Sequence, residues 1–245
     1  MREIVLRGRK KGEKYTVHPV RTLWGTCYLI EADDGLYMVD TGEPGYTNKI
    51  LRVMDKLGRR DLRLIFISHG HFDHYGNAAE LRERTGAKIA VSRLDAPELR
   101  NGRSAVQYVR SGGILGKMFM PFCWILWKTR KTRPDILLED GDPLAEYGLD
   151  ATVLHLPGHT KGHCGLYLAG RYAFVGDELL VQPFPMVQSY YSNDWNQVIF
   201  SFEKLKALRP ELMFPGYGRP IKDSELPKVR YKHIERLAKK GRSHW

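Results

Sequence analysis

At 245 residues, 42% of them hydrophobic, the chain can bury a sizeable core as one unit. The excess of 39 Lys and Arg over 28 Asp and Glu gives a formal charge of +11 and favours anionic partners. The basic residues are spread along the chain with no stacking platform or recognition motif, so they read as a solvated surface rather than a nucleic-acid interface. Three scattered cysteines, Cys27, Cys123 and Cys164, exclude a disulfide framework and a thiolate zinc site, and read as buried or semi-buried thiols. No linker, repeat or low-complexity tract divides the chain, so residues 1–245 read as a single domain. The charged N-terminus lacks the apolar stretch of a secretory signal, and a cytoplasmic location is expected.

In chain order, the pattern predicts strands at 15–20, 27–31 and 36–39 and a helix at about 46–57. A strand at 64–67 follows, then a helix at about 76–85, a strand at 88–91 and a short helix near 96–100. After an irregular middle, an apolar run at 136–138 precedes strands near 151–156, 164–168 and 172–175. A helix at about 194–208, an apolar triplet at 212–214 and a charged helix at about 225–240, capped by Asp223 or Ser224, complete the pattern.

The chemistry is concentrated directly after the strand at 64–67, in Ser68-His69-Gly70-His71-Phe72-Asp73-His74. Residues two apart on an extended chain point to one side, so His69 and His71 can converge on one ion. Asp73 and His74 point elsewhere and can serve a second ion or an activated water. A lone histidine is most often a surface or satisfied core residue. Burying this many polar side chains unliganded would be costly, so the cluster reads as a metal site.

This segment resembles the H-x-H-x-D-H hallmark of the metallo-β-lactamase superfamily, and the resemblance continues in order along the chain. Asp40-Thr41-Gly42 is similar to the family's early D-T-G turn. His155-Leu156-Pro157-Gly158-His159-Thr160-Lys161-Gly162-His163 is similar to its P-G-H-T-x-G-H segment, which matches His159 to the third metal histidine. Gly176-Asp177 matches the strand end that supplies a bridging carboxylate, and Pro215-Gly216-Tyr217-Gly218 lies where the family has P-G-H-G. The resemblance spans about residues 15–220 and implies an α/β fold, a four-layer αββα sandwich with the motif loops at one edge.

The resemblance implies a first metal site of His69, His71, His159 and Asp177, and a second of Asp73, His74 and the shared Asp177. Tyr217 replaces the family's last histidine, and a neutral phenol is a poor zinc ligand. The cofactor is therefore one or two divalent transition metal ions, Zn2+ foremost, with Fe or Mn as alternatives. The implied activity is hydrolysis by a metal-activated water, on an ester, thioester, lactone or phosphodiester. Asp73 would orient or deprotonate that water, and Tyr217 would donate to the developing oxyanion or simply pack. Two other readings stay open: a mononuclear iron persulfide dioxygenase, and a metal-bearing binding protein without turnover.

His155 and His163 flank His159 and read as supporting rather than ligating residues, while His18, His233 and His244 read as exposed. The segment at about 101–134 is an aromatic and basic insertion whose central apolar run, interrupted by Pro121, is too short to span a bilayer. It reads as a lid or pocket wall first, with a homodimer contact, plain packing and an interfacial membrane contact as alternatives. A second aromatic cluster at 184–195 reads as the opposite wall. The expected partner is a small-molecule substrate, anionic or partly apolar.

Overall fold

The apolar runs of the first half leave no face for water, and the fold buries both sides of them. A computed structural model describes residues 3–104, 110–111, 128–181, 185–187, 191–231, 234–236 and 239. One sheet has seven strands in the order β1 (Ile4–Arg7), β2 (Lys14–Arg21), β3 (Thr26–Ala32), β4 (Gly35–Val39), β5 (Leu62–Ile67), β6 (Lys88–Ser92) and β8 (Ile136–Leu138). A two-residue strand, β7 (Arg110–Ser111), pairs instead with β13 (Tyr191–Ser192). The second sheet is built from β9 (Ala151–His155), β10 (Cys164–Leu168), β11 (Tyr172–Val181), β14 (Leu212–Gly218) and β15 (Ile221–Lys222), with β12 (Pro185–Val187) alongside β11. The antiparallel hairpins of β1 to β4 give way to parallel pairing of β4, β5, β6 and β8, and β11 pairs parallel with β14.

Period-two alternation along each strand assigns its residues to one of three cores. Tyr28, Ile30, Tyr37, Val39, Leu64 and Phe66 face inward and meet Val153, Leu166, Phe174 and Phe214 of the other sheet. Leu29, Met38, Ile65, Ile67 and Ile89 face outward, under α1 (Thr47–Lys56), α3 (Ala78–Thr85) and α4 (Ala96–Asn101). On the second sheet Ala173, Val175 and Met213 lie under Trp195, Val198, Phe202 and Leu205 of α5 (Trp195–Leu208). Helix, sheet, sheet, helix is thus the layer order. A further single-turn helix, α2 (Phe72–Tyr75), stands at the end of β5.

The two sheets are joined at their centre by Phe174 and Phe214, stacked at 4.5 Å, with the Tyr28 ring edge-on to both. The Tyr28 hydroxyl donates to the Pro215 carbonyl at 2.7 Å and so links the first sheet to the turn before Tyr217. Phe174→Ala should lower unfolding stability by about 3–5 kcal/mol, because the neighbouring rings cannot collapse into the gap. Urea unfolding followed by circular dichroism reads that loss.

Three expected elements need correction, and one strand was not expected. The helix expected at 76–85 starts at Ala78, separated from the turn at Phe72–Tyr75, because Asn77 turns away to bind another loop: its Nδ2 donates to the carbonyls of Thr41 and Glu43, and its Oδ1 accepts from the amides of Gly45 and Tyr46. The strand expected at 172–175 continues to Val181 through a register shift at Gly176. The charged helix expected at 225–240 begins instead as a 3-10 turn, Asp223–Lys228, which contains Pro227 and ends in extended Val229. Residues 234–236 are helical further on. The edge strand β1 was hidden by its short alternating pattern, in which only Leu6 is buried. Most of the insertion, at 105–109 and 112–127, and part of the second aromatic cluster, at 184 and 188–190, lie outside the described residues. Among the described residues no helix is long and apolar enough to cross a membrane.

Candidate metal centre

Strand ends at one edge of the sandwich deliver the expected side chains to one place. The chain leaves β5 at Ser68, His69 follows at once, and His71 stands in extended backbone immediately before α2, which carries Asp73 and His74. His159 comes from the turn between β9 and β10, Asp177 from the irregular part of β11, and Tyr217 from β14. Gly176 has φ of 49°, and a Cβ there would stand 2.7 Å from His163 Nε2 and 2.9 Å from Ser68 Cβ. Only glycine lets β11 bend so close to the β5 loop.

Three imidazole nitrogens converge. His69 Nε2 lies 2.9 Å from His71 Nδ1 and 3.2 Å from His159 Nε2, and the His71 and His159 atoms are 3.0 Å apart. Two nitrogens on one tetrahedral zinc stand about 3.3 Å apart, given Zn–N distances of about 2.0–2.1 Å, so this triangle fits a small divalent cation. Burial first, and the neighbouring imidazoles after it, push His69 and His71 well below the ordinary histidine range. Both are neutral near pH 7, as ligation requires. The Asp177 carboxylate borders the triangle, with Oδ2 3.3 Å from His159 Nε2 and Oδ1 3.1 Å from His74 Nε2. Burial alone would raise the Asp177 pKa, but His74 outweighs it and holds the carboxyl below its usual range.

Sequence reading missed most of the supports. In the sequence Asp40 stands out only as part of the D-T-G turn, yet its buried carboxylate accepts the Ser68 amide, the Ser68 hydroxyl and His74 Nδ1, each at 2.8 Å. Having given its proton to Asp40, Ser68 Oγ is left to accept from His69 Nδ1 at 3.0 Å, which leaves His69 Nε2 as the lone-pair nitrogen of the triangle. Burial would lower the His74 pKa, but Asp177 and Asp40 on its two sides raise it well above the ordinary value. His163, expected as a support, is buried. Its Nδ1 donates to the Leu156 carbonyl at 3.0 Å and its Nε2 accepts the Asp177 amide at 3.1 Å. A carbonyl only accepts and an amide only donates, so this tautomer is fixed; burial pushes the pKa of His163 to about 3.

Asp95 had no sequence signal at all. Its buried Oδ2 accepts from the Gly70 amide at 2.9 Å and the Thr160 hydroxyl at 2.6 Å, and its Oδ1 accepts from the Gly162 amide at 2.8 Å. One carboxylate thus ties the loop of His69 and His71 to the loop of His159. Asp95→Ala should weaken metal binding by about 10–100-fold although it removes none of the converging side chains, as competition with a chromophoric chelator would report.

Beside Gly70, Glu98 has a buried Oε2 that finds no partner among the described residues, and burial pushes its pKa to about 7. A folded pKa above the unfolded value of about 4.5 means that Glu98 costs stability as pH rises from about 4.5 to 7. Glu98→Gln should therefore match the parent Tm at pH 4.5 and exceed it at pH 8. Equal melting temperatures at both pH values would contradict this.

The remaining expected groups separate. Among the described residues, the converging donor groups are His69, His71 and His159, and His69, His74 and Asp177. Asp73 belongs to neither; its Oδ2 accepts a short hydrogen bond from the Tyr217 hydroxyl. The single phenol proton of Tyr217 is thus directed at Asp73, not at an oxyanion position. Burial raises the Asp73 pKa, and burial followed by Asp73 and Asp177 keeps Tyr217 protonated. His155 Nε2 pairs with the Lys161 carbonyl, away from the triangle. His18, expected to be exposed, is half-buried because Glu31 Oε2 holds its Nε2 at 2.9 Å. His233 and His244 lie outside the described residues, as does Cys123, while Cys27 and Cys164 are buried free thiols.

The sequence profile of the Metallo-beta-lactamase superfamily matches residues 23–217. Uncharacterized protein YobT of Bacillus subtilis is 25% identical over 232 residues, which cover 88% of this chain and 91% of that protein. Hydroxyacylglutathione hydrolase GloC of Haemophilus influenzae is 28% identical over 164 residues, 66% of this chain and 69% of that protein. Among solved structures, BJP-1, a subclass B3 metallo-beta-lactamase of Bradyrhizobium japonicum, shares the fold with a TM-score of 0.66 at 22% identity, over 93% of this chain and 92% of that one.

Proposed function

The chain belongs to the metallo-beta-lactamase superfamily of metal-dependent hydrolases, and on that premise we propose that it hydrolyses an acyl thioester at the centre formed by His69, His71, His159 and Asp177. The observation that carries this reading is the triangle of imidazole nitrogens, 2.9–3.2 Å apart, beside the Asp177 carboxylate. A divalent ion held there by these residues, with zinc preferred over iron or manganese, would supply a water of lowered pKa and an electrophile for the carbonyl.

The chain's own groups do the rest. Asp73, held by Tyr217, takes the proton of the attacking water, and burial lifts its pKa toward the range where a carboxylate works as a base. His74, with Asp40 behind it, orients the Asp177 carboxylate. His163 fixes the Asp177 backbone, and Asp95 keeps the two histidine loops in register. The thioester choice is supported by the similarity to a hydroxyacylglutathione hydrolase over 66% of the chain. The surplus charge of +11 suits an acidic thiol carrier.

The test is thiol release from acylglutathione and acyl-coenzyme A thioesters by the purified, metal-loaded protein, beside a lactone, a β-lactam and a phosphodiester. Thiol release that is lost on chelation and restored by metal supports the reading. Turnover of only the non-thioester substrates, or oxygen uptake with a glutathione persulfide in an iron-loaded sample, would replace it.

A further inference from the structure

We infer that Tyr217 makes this a one-metal centre by taking the Asp73 carboxylate out of the ligand set. The inference rests on reading the three histidines and Asp177 as metal donors. The two converging donor groups share His69, and His69 has one nitrogen to give, because its Nδ1 is engaged by Ser68 Oγ at 3.0 Å. An ion on the His69, His71 and His159 triangle therefore leaves His74 and Asp177 for any second ion. Two protein donors fall short of the three that catalytic sites of this kind supply.

Asp73 is a candidate for the missing donor, but its Oδ2 is held by the Tyr217 hydroxyl and it joins neither converging donor group. The hydrogen bond is built into the sheet. Tyr217 pairs with Leu180 where β14 runs beside β11, so the phenol approaches from the strand next to the one that carries Asp177. His74 has Asp40 at 2.8 Å on Nδ1, and its Nε2 faces Asp177 Oδ1 at 3.1 Å, the pair left for any second ion. Gly216 brings β14 close to this pair, since a Cβ there would lie 2.9 Å from Asp177 Oδ1 and 3.0 Å from His74 Cε1. What is missing is a donor. In place of a second ion, the centre has a carboxylate positioned by a phenol, which makes Tyr217 a positioning residue.

The experiment counts metal rather than turnover. The full-length protein is saturated with Zn2+, dialysed against buffer, and analysed for zinc per chain, alongside Tyr217→His and Tyr217→Phe variants whose folding is checked by circular dichroism. We expect one zinc in the parent and two in Tyr217→His, which supplies an imidazole and frees Asp73. We expect Tyr217→Phe, which frees Asp73 without adding a donor, to take a second zinc at higher concentration. Two zinc ions in the parent would overturn the inference while leaving the hydrolase reading intact. A single zinc in Tyr217→His, or in Tyr217→Phe at every concentration, would overturn the role given to the phenol. No zinc in the parent would instead sink the assignment of the donor set on which both readings stand.

Discussion

His69→Ala should remove metal and activity together. His69 is shared by both converging donor groups, so its loss leaves neither with three converging atoms and strips the proposed His69, His71, His159 and Asp177 set of one of its three imidazoles. Metal help is worth several kcal/mol in the transition state, and at 1.36 kcal/mol per decade the expected fall in kcat/KM is at least about 10³-fold. A second readout does not depend on the substrate. Zinc at about a thousand times its Kd should stabilise the parent by roughly 4 kcal/mol against unfolding, and should leave the Tm of the variant unchanged. His155→Ala is the control, because His155 pairs with the Lys161 carbonyl and not with the triangle. Its metal content and zinc-dependent Tm should match the parent. A His69→Ala protein that keeps a full complement of zinc would place the ion elsewhere.

The central strands were legible because both faces are buried. Leu64 and Phe66 enter the core between the sheets and Ile65 and Ile67 the core under the helices, so β5 becomes a solid apolar run that needs no partner information. The converging histidines were legible for a different reason: His69, His71 and His74 are packed into six residues, and local density is visible in one dimension. What organises them is not. Asp95 holds Gly70 from 25 residues away and Thr160 from 65, and an isolated aspartate before a short helix looks like an ordinary cap. Asn77 breaks a segment of fair helix propensity only because Thr41, Glu43, Gly45 and Tyr46 present backbone groups to it. The link between Tyr217 and Asp73 spans 144 residues. Sequence could show that Tyr217 stands where a histidine is expected, but the structure was needed to show where its proton goes.

Asp73→Asn separates proton transfer from metal binding. The substitution removes charge and basicity but keeps an oxygen that can accept the Tyr217 hydrogen bond, so the phenol and the surrounding loop should stay in place. Zinc content should remain at the parent value, because Asp73 belongs to neither converging donor group. Activity should fall by about 10²–10⁴-fold, the usual worth of a positioned base. The pH profile carries the stronger constraint. Burial raises the Asp73 pKa above its ordinary value, so the carboxylate that accepts the proton is lost as pH falls through that raised pKa. The parent should therefore lose kcat/KM on the acid side earlier than an ordinary aspartate would dictate. The variant, with no carboxylate to protonate, should show a low rate without that limb. Full activity in the variant would remove Asp73 from the chemistry. A low rate that kept the parent's acid limb would assign the titration to another group and leave Asp73 a structural role beside Tyr217.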